Sequence, residues 1–145
     1  EPAMFHVLLV DDQPSVLTLL SAICEQADIP HSTASDAYDA LARLQQQATS
    51  VLVTDLRMPG LNGIELFRLA QRQFPQLRGI VFSGYVTYEV LLQILEAGFD
   101  DCLHKPLRDI DALVASIGQS QDRFEHWRRR VVQLRGIPVA HNPTA

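Results

Sequence analysis

Five side chains suited to phosphoryl chemistry stand at equivalent places along this chain. Asp11 and Asp12 follow the apolar run Phe5–Val10, and Asp55 follows Val51–Thr54. Ser83 follows Arg78–Phe82, and Lys105 follows Asp101–His104. Brought together, three carboxylates repel one another, and a hard divalent cation such as Mg²⁺ with oxygen ligands relieves that cost. A carboxylate beside such a cation is also a nucleophile toward phosphorus, provided a cationic group and a hydroxyl hold the remaining phosphoryl oxygens. Taken alone, an acid after a strand more commonly caps the next helix. The chemistry therefore depends on whether the fold makes the five converge.

The intervening segments supply that convergence. The run Val51–Thr54 is short, rich in β-branched residues and bounded by Pro59-Gly60 and Asn62-Gly63, which marks a strand rather than a helix; Phe5–Val10 and Arg78–Phe82 are likewise apolar and strand-like, and Asp101–His104 gives a short final strand. Between them, apolar residues recur at three- and four-residue steps. Val16, Leu19, Leu20, Ile23, Cys24 and Ala27 form one such helical face, and Ala37, Ala40, Leu41 and Leu44 a second, capped by Ser35 or Asp36. Ile64, Phe67, Ala70 and Phe74 form a third. Val90, Leu91, Ile94 and Leu95 form a fourth, with Thr87 as its cap and Gly98 as its C-terminal residue. Strand and helix alternate five times, with the polar His31–Ala34 expected at a sheet edge. This pattern predicts an α/β fold, a doubly wound five-stranded parallel sheet covered by helices on both faces. In such sheets the loops at the carboxyl ends of the strands line one crevice, which is where all five side chains fall.

Composition narrows the function classes. At 145 residues and 47% hydrophobic content the chain holds one core plus an appendage. A formal net charge of −5 argues against nucleic-acid binding through the whole surface. Cys24 and Cys102 have neither metal-type spacing nor a disulfide framework, and His6, His31, His104, His126 and His141 show no ligand-like pairing. With no apolar segment long enough to span a membrane, a cytoplasmic location is expected.

The residues that converge resemble the receiver domain of a two-component response regulator, over about residues 4–118. Asp11-Asp12 is similar to that family's acidic pair, Asp55 with Met58-Pro59-Gly60 and Asn62-Gly63 to its phosphoacceptor loop, Ser83-Gly84 to its hydroxyl switch position and Lys105-Pro106 to its lysine and turn. The resemblance implies a flavodoxin-like strand order 2-1-3-4-5 and a cis Lys105-Pro106 bond. It also implies phosphorylation of Asp55 by a histidine kinase or phosphotransfer protein. Mg²⁺ would be held by Asp12, Asp55 and the backbone carbonyl of Arg57, with Asp11 acting largely through water. Lys105 would pair with the phosphoryl oxygens and Ser83 would move to bond one of them. Such a module phosphorylates and dephosphorylates itself and turns over no external substrate.

Two positions depart from the family pattern. Cys102 stands three residues before Lys105, where an aromatic ring usually reports the switch, and Leu107 replaces a second aromatic. Tyr85 and Arg57 flank the approach to Asp55 and are expected to set the lifetime of the phosphorylated state. Two other readings compete: a phosphorylation-independent interaction module with this fold, and a hydrolase using Asp55 covalently. The hydrolase reading meets Arg57 where that chemistry wants a second acid.

The last helix should begin near Asp109. Ile110, Leu113, Ile117, Ser120, Phe124, Trp127, Val131 and Leu134 alternate three- and four-residue steps, a heptad seam broken only by Ser120. Residues 119–136 are therefore expected to form a helical extension, stopped by Gly136 and Pro138, with 137–145 a flexible tail. From Asp109 to Arg135 it would measure about 40 Å at 1.5 Å per residue, longer than one small domain covers. The spacing predicts a homodimer through this helix that passes the receiver's state to an output domain outside the chain. A hinge at Gly118 and Ser120, with the tail folding back, is the alternative. Arg123, Arg128, Arg129, Arg130 and Arg135 make the extension basic, and a solvated face is expected rather than nucleic-acid contact.

Overall fold

The computed structural model describes residues 5–135. Strands β1 (Val7–Val10), β2 (His31–Ala34), β3 (Val51–Thr54), β4 (Arg78–Ser83) and β5 (Asp101–His104) form one parallel sheet in the order β2-β1-β3-β4-β5. Helices α1 (Pro14–Gln26), α2 (Ala37–Gln46), α3 (Gly63–Gln73), α4 (Tyr88–Ala97) and α5 (Ile110–Leu134) cross over between and after them. The expected doubly wound sheet and its strand order are therefore both present.

Alternation along the strands builds two cores. Leu8, Val10, Leu52 and Val81 face the side covered by α2, α3 and α4, where they meet Ala40, Leu44, Phe67 and Ile94. Val7, Leu9, Val51, Val53, Ile80 and Phe82 face the other, against Leu20 and Ile23 of α1 and Leu113 and Ile117 of α5. Both faces of β1 and β3 are buried, which is why their sequences are continuously apolar. The edge strands β2 and β5 are only partly covered, and each reads as more polar.

Local chemistry sets the helix ends. Asp36 caps α2 by accepting from the Asp39 N–H, Thr87 caps α4 by accepting from the Val90 N–H, and Asn62 and Glu65 form a reciprocal capping box at α3. Gly98 ends α4 in the left-handed region at φ 88°. The Lys105-Pro106 bond is cis, as the resemblance implied.

Three expectations need correction. Leu19 and Leu95 face outward, 44% and 63% exposed, because the inward stripes of these helices run through Leu20, Ile23 and Cys24 and through Val90, Ile94 and Ala97. No hinge interrupts α5 at Gly118 or Ser120, since the helix is continuous to Leu134. Ser120 is no gap in the seam either: it is fully buried, and its hydroxyl donates to Asp100 Oδ2 at 2.8 Å. The sheet thus takes up the seam through Leu113, Ile117 and Ser120, while Trp127, Val131 and Leu134 beyond it are exposed. Gly136, Pro138 and the expected tail 137–145 lie outside the described residues.

Asp100 gathers a second network at the opposite end of the sheet from the crevice. Arg78, at the start of β4, donates to both of its carboxylate oxygens, and Ser120 and Arg123 of α5 donate as well. One turn back, Ser116 donates to Asp101. Two consecutive acids thereby fasten α5 to the entry of β5.

Candidate functional site

The register of β1 against β3, with Val10 opposite Thr54, sends Asp11 and Asp55 out of the sheet side by side. A 3.1 Å hydrogen bond from the Asp55 N–H to the Val10 carbonyl keeps them level. Ser83 ends β4 opposite His104 of β5, and the Lys105 N–H donates to the Ser83 carbonyl at 2.9 Å. From there Lys105 Nζ donates to Asp11 Oδ2 at 2.7 Å and to Asp55 Oδ2 at 2.9 Å. Carboxylate oxygens of Asp11, Asp12 and Asp55 lie within 4.8 Å of one another. Asp11 and Asp55 are buried, whereas Asp12 is exposed at the rim.

The remaining carboxylate lone pairs orient the group. Asp11 Oδ1 accepts from the Gln13 N–H, and Asp55 Oδ1 accepts from the Leu56 N–H. Burial pushes the Asp11 carboxyl above its ordinary value, and the hydrogen bond and charge of Lys105 only partly offset this. Burial pulls the Lys105 ammonium down, but its bonds to Asp11 and Asp55 and their charges outweigh that and raise it. Among these four groups, three negative charges face one positive, leaving two uncompensated. An oxygen-only donor set with that excess fits a divalent cation such as Mg²⁺.

Asp11→Asn is therefore expected to stabilise the metal-free protein by about 1 kcal/mol, because the amide relieves repulsion at a buried site while still accepting from Gln13 or Lys105. Urea unfolding in EDTA reads this gain. Added Mg²⁺ is expected to stabilise the natural chain more than this variant. A variant less stable than the natural chain in EDTA would show that the carboxylate is a net stabilising group.

The crevice above Asp55 has a volume of about 530 Å³, and its lining includes Asp12, Arg57, Met58, Asn62, Tyr85 and Gln93. The Arg57 guanidinium lies over the Tyr85 ring, 3.7 Å from its centroid, a cation–π contact across the mouth. Ser83 is buried, and its Oγ accepts from the Tyr85 N–H at 3.3 Å. The floor depends on Gly63, where a Cβ would stand 2.1 Å from the Asp55 carbonyl oxygen; only glycine lets α3 start this close to the end of β3.

Thus Asp11, Asp55 and Lys105 are joined by hydrogen bonds, Asp12 shares the carboxylate cluster, Ser83 sits at the end of the neighbouring strand, and Arg57 lines the mouth. The contributions of Gln93 and of Gly63 as a wedge went unread in the sequence. Gln93 is a polar position on an amphipathic helix, and nothing local marks it as lining a site. Asn62-Gly63 was legible as a turn, but the contact of Gly63 with Asp55 is tertiary.

Comparison with known proteins is decisive here. The model of the response regulator receiver domain matches residues 7–118, most of the chain. The chain belongs to this family. Its receiver is 31% identical over 131 residues to the C4-dicarboxylate transport transcriptional regulatory protein DctD of Rhizobium meliloti, covering 90% of this chain and 27% of that protein. The chain spans 27–30% of the length of the first curated relatives it matches. Among solved structures, the receiver is similar to a CheY-like response regulator receiver domain from Methanospirillum hungatei JF-1, with a TM-score of 0.79 and 26% identity, covering 86% of this chain and 98% of that one. It also shares the fold of the beryllofluoride-activated NtrC4 receiver domain dimer, with a TM-score of 0.77 and 24% identity, covering 82% and 98%. No described helix is long and apolar enough to cross a membrane.

Proposed function

We propose that this receiver accepts a phosphoryl group on Asp55 from a histidine kinase or phosphotransfer protein. The observation that carries the reading is Lys105 Nζ bridging the buried Asp11 and Asp55 from a third strand end. A carboxylate oxygen of Asp55 bonds to phosphorus as the phosphorus–nitrogen bond of the donor phosphohistidine breaks, and the imidazole leaves with that electron pair. Lys105 gives up Asp55 Oδ2 and pairs with a phosphoryl oxygen. The Ser83 hydroxyl turns to donate to another, releasing the Tyr85 N–H it now accepts from. Asp11, Asp12, Asp55 and the Arg57 carbonyl would hold Mg²⁺, which would supply neutralisation of the charge accumulating on the phosphoryl oxygens. The module turns over no external substrate. It works in the cytoplasm and passes its state through α5 to a partner or an output domain outside this chain.

The test is incubation with acetyl phosphate and Mg²⁺, followed by intact mass. The expected result is a gain of one phosphoryl group that hydroxylamine removes, as it does from an acyl phosphate. No gain would favour a phosphorylation-independent module with this fold. Sustained release of inorganic phosphate beyond one equivalent per chain at a catalytic rate would favour a hydrolase.

With Cys102 where an aromatic switch ring usually stands, Tyr85 is the aromatic residue next to the switch hydroxyl: its backbone N–H donates to Ser83 Oγ and its ring lies beneath Arg57. This stack crosses the path of a hydrolytic water, so replacing Arg57 and Tyr85 together with Ala should speed loss of the phosphoryl group about three- to tenfold, roughly 1 kcal/mol of barrier. An unchanged decay of the phosphorylated mass after the donor is removed would eliminate that role.

A further inference from the structure

The far half of α5 carries an apolar stripe flanked by arginines. In the heptad register set by Leu113 and Ile117, the positions beside the seam are Arg123 and Arg130 on one side and Arg128 and Arg135 on the other. Phe124 is half-buried, while Trp127, Val131 and Leu134 are 53%, 40% and 57% exposed along this stripe. Some of the flanking charge is answered within the chain, since Arg123 pairs with Asp100 and Arg128 with Glu125. Arg130 donates to Gln133, and among the described residues no carboxylate pairs with Arg130 or Arg135.

A second copy of this helix matches the apolar spacing but not the charge. Flanking residues meet across a two-helix seam in either orientation, side to opposite side when parallel and like side to like side when antiparallel. Both arrangements set arginine against arginine along the whole exposed stripe. A nucleic acid meets the opposite difficulty. Its phosphates match the arginines but leave the apolar stripe of Trp127, Val131 and Leu134 uncovered.

We infer that the far half of α5, with Phe124, Trp127, Val131 and Leu134 between arginine flanks, docks an acidic amphipathic helix from a different protein segment. Leu or Ile of that helix would fill the seam, and Glu or Asp beside them would meet Arg123, Arg128, Arg130 and Arg135. The docking requires no phosphorylation of Asp55, so it and the phosphoryl reading stand or fall separately.

Trp127 is the only tryptophan of the chain and lies on the stripe, so its emission reports occupancy. The full chain would be titrated with two synthetic three-heptad helices that share Leu and Ile at the seam and differ only in Glu or Lys at the flanks. The Glu peptide should shift Trp127 emission to the blue and bind about tenfold tighter than the Lys peptide, with an advantage that shrinks in high salt. Sedimentation equilibrium should show a monomer at micromolar concentration. A variant carrying R128E, R130E and R135E, which leaves the Arg123–Asp100 pair intact, should reverse the preference toward the Lys peptide. Its folding is checked by the circular dichroism of the receiver. Equal binding of the two peptides, binding of neither, a dimer disrupted by Trp127→Glu, a Trp127 shift produced by duplex DNA, or emission already blue in the free chain would each overturn the assignment.

Discussion

Asp55→Asn is expected to abolish phosphoryl uptake while leaving the receiver folded. An amide offers phosphorus no comparable nucleophile, so the phosphorylated fraction should fall by at least about two orders of magnitude under the same acetyl phosphate and Mg²⁺ conditions. Neither neighbouring acid is placed to substitute. Asp11 is the more deeply buried, 1% exposed against 7% for Asp55, and Asp12 stands at the rim. Folding should change by no more than about 1 kcal/mol, because Asn retains an acceptor for the Leu56 N–H and Lys105 retains Asp11. Intact mass and urea unfolding on the same preparation separate chemistry from folding. Phosphorylation of the variant at the natural level would place the acceptor elsewhere and remove the proposed role of Asp55.

The site was readable because each component marks its own place. Val10-Asp11, Thr54-Asp55, Phe82-Ser83 and His104-Lys105 are junctions between a strand and a loop. A parallel sheet brings such junctions to one edge, so type and order were enough to assemble Asp11, Asp12, Asp55, Ser83 and Lys105. The Arg57–Tyr85 stack was half legible: both residues could be placed at the mouth, but the contact between them depends on the path of two loops. Asp100 left no signal. Arg78, Asp100, Ser120 and Arg123 share no period, and an acid just before an edge strand looks like surface. Ser120 misled most directly, because a polar residue at an apolar seam position reads as a break when its partner is unknown. Its burial against Asp100 fastens α5 to the end of the sheet, beyond which Trp127, Val131 and Leu134 are exposed.

Asp100→Asn should therefore give a large loss of stability, about 3 kcal/mol at neutral pH, as expected when one member of a buried ion pair is removed. Its carboxylate is 5% exposed and receives Arg78, Ser120 and Arg123, so neutralising it leaves the largely covered Arg78 guanidinium without its counterion. Burial alone would raise the Asp100 carboxyl, but the hydrogen bonds of Arg78 and Ser120 and the charges of Arg78 and Arg123 outweigh it and hold the folded value below the ordinary 3.8. A lowered folded pKa means that the ionised carboxylate stabilises the native state. That contribution is complete above the unfolded value and is lost as pH falls through the folded one. The gap between the natural chain and the variant should accordingly be constant near neutrality and close below about pH 4. Denaturant unfolding across this range reads both the size and the sign. Hydrogen exchange adds the spatial test: because Ser120 and Arg123 lose their anchor, amides from Gln121 to Leu134 should exchange faster in the variant than those of Leu113 to Ile117, which remain packed on the sheet. A gap that persisted unchanged into acid would mean that Asn fails for its shape rather than its charge, and Asp100 would then be a packing residue instead of the ionic clamp on α5.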